Sequence, residues 1–315
     1  MSHGLATCLL TILLASAAAP AHAQQQIVDP DFDPRVAEPA YRADGPRVTI
    51  DAAHNNFHTA DGQYSPFAAL LRADGFRVAS GTSSFSGAGL AATDILVISN
   101  ARGKPAPANA FTAAEADTVR DWVAGGGSLL LIADHTPFGS AAADLAGRFG
   151  VTMGKGYAFI NPPRDRVTTQ IEYRRDGLGN HPIIAGRSEK ERIRIVKTFT
   201  GQSLSGPPGA TILLRLPDPA FEARDSDTLD AAANGRPATV TPVGGRAQGL
   251  AFTHGKGRVV VLGEAGMLSA QIVRLPGRPE MRMGMSVKGY DDRQFALNIM
   301  HWLSGLLTTQ REARP

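Results

Sequence analysis

The sequence holds a single cysteine in 315 residues, Cys8, and that residue sits at the head of an N-terminal apolar run. Residues 9–19 of the run lead into Pro20 and the small-residue triplet Ala21-His22-Ala23, the pattern of a secretory signal peptide cleaved after Ala23. The segment before the run has no Lys or Arg and offers only the amino terminus and His3 as positive charge. The run is short for a bilayer span. No later stretch is both long and apolar, so the expected product is exported, periplasmic or secreted, with no stable membrane span. A mature chain beginning at Gln24 would contain no thiol, which excludes disulfides, zinc–cysteine sites and a cysteine nucleophile.

Other absences narrow the field further. The 32 basic and 29 acidic residues are well mixed, giving a formal net charge of +3. No block of Lys or Arg is interleaved with aromatics, so a nucleic-acid partner is not expected. Arg164, Arg166, Arg174 and Arg175 form a local basic stretch that reads as a solvated loop face. A G-x-S-x-G elbow is missing, because Gly201-Gln-Ser203-Leu-Ser205-Gly206 lacks the closing glycine and follows no clear buried strand. Gly125-Gly-Gly127 precedes a strand rather than opening a helix, so neither a phosphate loop nor a dinucleotide fingerprint is present.

What is present is an alternation. Residues 24–46, rich in Gln, Pro, Asp and Ala without periodicity, read as an extended lead-in. Residues 47–51 form a short apolar strand ending in Asp51, 64–74 have helical spacing stopped by Gly75, and 76–79 form a brief second strand. Residues 94–100 are a continuous apolar run, the mark of a strand buried on both faces. Residues 112–124 open on Thr112 with Glu115 three positions later, a capping box, and carry Val119, Trp122 and Val123 on one stripe. Residues 128–134 form the next buried strand, and 140–149 the next helix, closed by Gly150. This alternation predicts right-handed crossovers and an α/β fold, a flavodoxin-like doubly wound parallel sheet whose ligands bind at the carboxyl edge.

The second half is less regular. Residues 151–245 contain Pro162-Pro163, His181-Pro182, Pro207-Pro208 and Pro217-Asp-Pro219, and only 193–196 and 210–216 look strand-like, so the region reads as a loop-rich insertion. A hairpin is expected from 248–254 and 257–263 around Gly255-Lys-Gly257, delivering Glu264. The last helix, 291–307, places Phe295, Ile299, Trp302, Leu303 and Leu306 on its apolar face. The expected organisation is a signal peptide over 1–23, the lead-in over 24–46, one α/β domain over 47–307 and a tail over 308–315.

Three expected strand ends carry ionisable groups: Asp51-Ala-Ala-His54-Asn-Asn-Phe-His58, Asp134-His135, and Glu264. Separate segments converging on one edge are what a site requires. His54 and His58 are four apart and share one side if the stretch is helical. Imidazoles with carboxylates suit a divalent metal, zinc or similar, which makes His54, His58 and His135 candidate ligands, with Asp134 able to join them. Asp51, Asp134 and Glu264 are the candidate catalytic carboxylates. The blander alternative has His54 and Asn55 capping the loop and the carboxylates by hydrogen bonding. No Glu follows His54, so the metalloprotease helix pattern is not met. Ser269 and Gln271 are further polar candidates, His181 and His254 read as structural, and His301 beside Trp302 as a satisfied, half-buried histidine.

Gly126-Gly-Ser-Leu-Leu-Leu-Ile-Ala-Asp134 after the Trp122 helix, the 94–100 strand, and Gly255-Lys-Gly-Arg-Val-Val-Val-Leu-Gly-Glu264 resemble the sheet of the class I glutamine amidotransferase-like superfamily. More narrowly they resemble its uncharacterised exported members and the trehalose-utilisation-like branch. The resemblance covers most of residues 47–150 and 246–305. It implies the fold and an inherited crevice. The family's glutaminases use a cysteine in a sharp strand-to-helix turn with a distant His and Glu; that triad has no counterpart positions here, which sets aside ammonia release from glutamine. Two function classes stay open: an exported, metal-assisted hydrolase acting on a small or cell-envelope substrate, and a non-catalytic protein binding a carbohydrate or envelope ligand. The expected partner is a small molecule or glycan, and the sequence assigns no oligomeric state.

Overall fold

A computed structural model describes residues 25–42, 44–103, 109–161, 166–274 and 279–308. The expected signal peptide with Cys8, the Pro162-Pro163 pair, Arg164 and the tail from residue 309 lie outside the described residues. The lead-in proves to be more than an extended connector. Its strand β1 (Gln25–Val28) pairs antiparallel with Ala270–Arg274, which pairs in turn with Met281–Gly284. A polar segment with no apolar period gives no local signal for this, because its pairing is decided by the partner strand.

The central sheet is built from β2 (Arg47–Asp51), β3 (Arg77–Gly81), β4 (Ile95–Ser99), β5 (Ser128–Ile132) and the late strand Gly257–Leu262, all parallel. In space β3 lies outside β2, followed by β4, β5 and the late strand. Numbered along the chain, that order is 2-1-3-4-5, the flavodoxin arrangement, and it reverses between β2 and β4. Helices α1 (Ser65–Ala73), α2 (Gly87–Leu90), α3 (Ala113–Ala124) and α4 (Phe138–Gly147) make the crossovers. The expected hairpin joins Ala247–His254 to Gly257–Leu262, with Gly255 at φ 59° in the turn. Part of the middle region continues this sheet rather than decorating its rim: Leu204–Ser205 and Thr211–Arg215 both pair with Ala247–His254, and Thr152–Met153 pairs with Leu204–Ser205.

Two-residue alternation explains the layering. Ile95, Val97, Leu130, Ile132, Val260 and Leu262 point into one core with Phe67, Leu70, Phe295 and Trp302. Leu96, Ile98, Leu129, Leu131, Val259 and Val261 point into the other with Val119, Val123 and Leu145. Each such side chain contributes about 1.5–3 kcal/mol by leaving water, so helices must cover both faces. The capping box is formed as the sequence indicates: Thr112 Oγ1 accepts from Glu115 N, and the Glu115 carboxylate accepts from Thr112 N. One correction falls at the last helix, Asp292–Leu303. It stops a turn short of the expected end, with Gly305 at φ 84°, so Leu306 is 40% exposed rather than part of the apolar face. Among the described residues no helix is long and apolar enough to cross a membrane.

Candidate active site

The crevice where strand order reverses is where open α/β sheets hold ligands. Here a cleft of about 450 Å³ sits at that edge, with His58, Asn100, Asp134, His135 and Glu264 in its lining. Strand register explains why two carboxyls leave the sheet at neighbouring positions. Ile132 of β5 pairs with Leu262 of the late strand, and Ala133 N still donates to Leu262 O at 3.0 Å. Asp134 and Glu264 each stand two residues beyond that pair, so equal offsets on adjacent parallel strands bring them out side by side.

Glu264 is fully enclosed, its two carboxylate oxygens accepting from Gly266 N and Met267 N at 2.8 Å each. Asp134 keeps some surface open to the cleft. Its Oδ1 accepts from His135 N at 2.9 Å, and its own N–H donates to Asn100 Oδ1 at 2.9 Å. The surrounding protein desolvates both groups. Burial pushes Asp134 up to about 7, and burial followed by repulsion from Asp134 pushes Glu264 up to about 8. Desolvation thus opposes ionisation of both groups, and a charge on Asp134 adds to the cost of a charge on Glu264.

Two imidazoles flank the pair. His58 stacks on Tyr64 at 4.4 Å between centroids and has Nδ1 3.1 Å from Ser99 Oγ; burial lowers it to about 3. His135 stacks on Tyr157 at 4.4 Å and is also lowered by burial. Its Nδ1 lies 2.7 Å from Thr136 O, and since a carbonyl can only accept, the proton resides on Nδ1 and Nε2 keeps a lone pair. Both rings are therefore neutral.

The frame that holds this floor includes residues with no sequence signal. Gln202, from the middle region, is fully buried; its Nε2 donates to Ala133 O at 2.7 Å and Asp134 O at 2.9 Å, and its Oε1 accepts from Lys155 N at 2.7 Å. Gln202 N also donates to Gly263 O at 2.8 Å, so one residue ties the two carboxyl-bearing turns together. Asn100 turns the chain after β4 at φ 48°, in the left-handed region that Asn tolerates.

The remaining expected site residues lie elsewhere. Residues 52–58 are not helical, so a spacing of four does not put His54 and His58 on one side. His54 turns instead between Phe85 and Phe111, with ring centroids 4.5 and 4.8 Å away. Its Nδ1 is 2.9 Å from the Asp51 carboxylate and its Nε2 3.0 Å from Glu115 Oε1. Burial disfavours a charged ring, but the Asp51 and Glu115 bonds outweigh it and raise His54. Burial likewise favours a neutral Glu115, yet bonds from His54 and Thr112 outweigh it and hold that group at about 2. This is a buried clamp of an imidazolium between two carboxylates, with neither ring nitrogen left to bind an ion. Asp51 also accepts from Ala53 N and Asn56 Nδ2 and does not line the cleft. The three imidazoles expected as metal ligands thus do not fit one ion, and no group of three or more His, Cys, Asp or Glu placed to hold a metal occurs among the described residues.

The other histidines are structural. His181 caps the helix Pro182–Ala185, its Nδ1 accepting from Ile183 N, and His254 packs edge-on against Phe149. His301 is fully buried rather than half-buried, with Nε2 2.6 Å from Asp74 Oδ2. Ser269 Oγ donates to Gly266 O, and Gln271 takes a bond from Gln26 within the small sheet.

No protein-family model matches this chain, and no curated protein matches it by sequence. Among solved structures it is similar to one described as the mmIFT52 N-terminal domain, with a TM-score of 0.56 and 14% identity over 82% of this chain and 97% of that one. It is also similar to a ThuA-like protein from Parabacteroides merdae ATCC 43184 (TM-score 0.47, 12% identity, 85% of this chain and 92% of that one). A third likeness is to a GMP synthase-type protein from Thermoplasma acidophilum (TM-score 0.41, 12% identity, 84% and 97%). At these identities a likeness shows the fold alone: an α/β, flavodoxin-like, mostly parallel sheet covered by helices.

Proposed function

We propose that this chain is a hydrolase in which Asp134 and Glu264 act as a proton-sharing pair on a small or cell-envelope substrate. The observation that supports this reading is the pair itself: two desolvated carboxyls at matching offsets on adjacent strands, opening onto a cleft at the edge where such sheets bind ligands. Near neutrality the pair carries one proton and one negative charge. Asp134, which reaches the cleft, takes a proton from a water molecule as the water oxygen bonds to the electrophilic carbon of the scissile bond. That proton then passes to the departing atom as the bond breaks, so one water is consumed and the pair returns to its starting state. Glu264, enclosed beneath, keeps the pair singly ionised. His135 Nε2 supplies a neutral acceptor at the wall.

No step is routed through a metal, because the expected ligands do not converge. The proposal also has the protein acting outside the cytoplasm, on the strength of the 9–19 run and Ala21-His22-Ala23. The test is a panel of esters, amides and glycosides assayed with the purified protein, with chelator and with added zinc. Turnover is expected to survive chelation, to rise as pH passes about 7, to fall beyond about 8, and to drop at least a hundredfold in Asp134→Asn. Hydrolysis that needs zinc would favour the metal-assisted route, and binding without turnover across the panel would sink the hydrolase reading in favour of a binding protein.

A further inference from the structure

The mouth of the cleft differs in chemistry from its floor. Phe57 is 38% exposed, one of two large apolar side chains so exposed among the described residues. It stands edge-on to His58 at 5.0 Å and 6.3 Å from Phe138, and all three line the cleft. The Arg102 guanidinium lies over the Phe57 ring, 5.8 Å from its centroid, and lines the same cleft. Both residues are held by backbone: Phe57 N donates to Asn100 O at 3.0 Å, and Arg102 N donates to His54 O at 3.2 Å. Asn55 Nδ2 bonds to Gly103 O at 3.1 Å, closing the two loops on each other.

Arg102, like Arg72 and Arg215, makes its side-chain bond to a backbone carbonyl, but unlike them it lines the cleft. Arg47, Arg120, Arg148 and Arg187 each face a carboxylate within 2.8 Å. Arg102 has no carboxylate partner among the described residues; its one side-chain bond is a long 3.5 Å contact from Nε to Asn55 O, and its terminal nitrogens make none. A guanidinium held at cation–π distance over a ring keeps donors for a ligand, and its planar fork matches a carboxylate in two parallel bonds. The aromatic side chains beside it offer faces and edges for a flat apolar group.

We propose that Arg102 and Phe57 form a recognition subsite at the cleft mouth for a carboxylate borne on a flat or ring-containing apolar group, so that the ligand class is an amphipathic organic acid. The orientation follows from charge: the anion sits at Arg102, away from the acidic floor, and the remainder of the molecule extends toward Asp134. What then happens to the ligand rests on the hydrolase reading; the binding preference does not.

Isothermal titration of the full chain with 4-phenylbutyrate, its neutral analogue 4-phenylbutyramide, and butyrate tests the subsite. The acid is expected to bind at least tenfold more tightly than the amide, and butyrate at least tenfold more weakly than 4-phenylbutyrate. Arg102→Gln is expected to make acid and amide equal, Arg102→Lys to keep part of the preference, and Phe57→Ala to weaken acid and amide alike. Asp134→Asn leaves the acid's affinity unchanged or higher, which separates this subsite from the catalytic claim. Equal binding of acid and amide to the parent protein, a preference that survives Arg102→Gln in protein with an unchanged melting curve, or failure of every probe to bind at millimolar concentration would each overturn the proposal.

Discussion

His54 Nε2 lies 3.0 Å from Glu115 Oε1, joining the loop after β2 to the first turn of α3, while Nδ1 of the same ring is 2.9 Å from Asp51. His54→Ala would leave two carboxylates facing each other without a cation, and removal of one partner from a buried ion cluster costs about 3–5 kcal/mol. Raised in the fold, His54 adds stability that is fully present below its ordinary 6.5 and is lost as pH climbs through the raised value. Glu115, held at about 2, adds stability present above its ordinary 4.5 and lost as pH falls toward about 2. The gap between parent and variant in urea denaturation should therefore be widest between about pH 5 and 6.5 and narrow on either side. A gap independent of pH would contradict the clamp.

The acidic pair predicts a different pH response. Asp134 and Glu264 are raised in the fold, so the stability they allow is present below their ordinary values, 3.8 and 4.5, and is lost as pH rises through about 7 and about 8. Asp134→Asn keeps an acceptor for His135 N and removes the charge. Its melting temperature should match the parent only below about pH 4 and exceed it increasingly up to pH 9, a gain of about 1–3 kcal/mol at the alkaline end. Equal melting temperatures at pH 9 would show that the pair is well solvated.

Gly139 opens α4 against Gln202. A Cβ there would sit 2.4 Å from both Gln202 Nε2 and Oε1, atoms already fixed by Ala133 O, Asp134 O and Lys155 N. Gly→Ala in a helix ordinarily stabilises by about 1 kcal/mol. Here Gly139→Ala is expected to destabilise by about 1–3 kcal/mol, because Gln202 must give up its bonds. Combined with Gln202→Ala, the two losses should be less than additive in a denaturation cycle.

Asp74 ends α1 and meets His301 of the last helix, both with no exposure, while Asp74 Oδ1 accepts from Ala40 N at 2.8 Å. Asp74→Ala strands His301 and an amide of the lead-in, and is expected to cost about 3–5 kcal/mol in chemical denaturation. A loss under about 1 kcal/mol would mean that water reaches the gap.

Legibility followed the range of the forces involved. The buried strands were readable from residues such as Leu129, Leu130, Leu131 and Val260, because a strand covered on both faces must be apolar throughout, and the Thr112–Glu115 box announced α3 because both partners lie within one turn. Asp134, Glu264, His58 and His135 were named from their strand ends and do line one cleft. Asp51 and His54 carried the same signal and turned the other way, because the direction of a loop side chain depends on what faces it. Glu115 was readable as a capping residue but not as the partner of His54, 61 positions away. Gln202, Tyr157, Arg102 and Phe57 had no pattern that marked them.

The sequence by itself determined the layers: apolar alternation and helix stops dictate a two-sided parallel sheet, since these forces act between near neighbours along the chain. Only the tertiary structure decided which ionisable groups come out on neighbouring strand ends, which form a clamp and which side chains reach the cleft. Those outcomes depend on strand register and on desolvation by residues tens to hundreds of positions away, and neither is written into any local stretch.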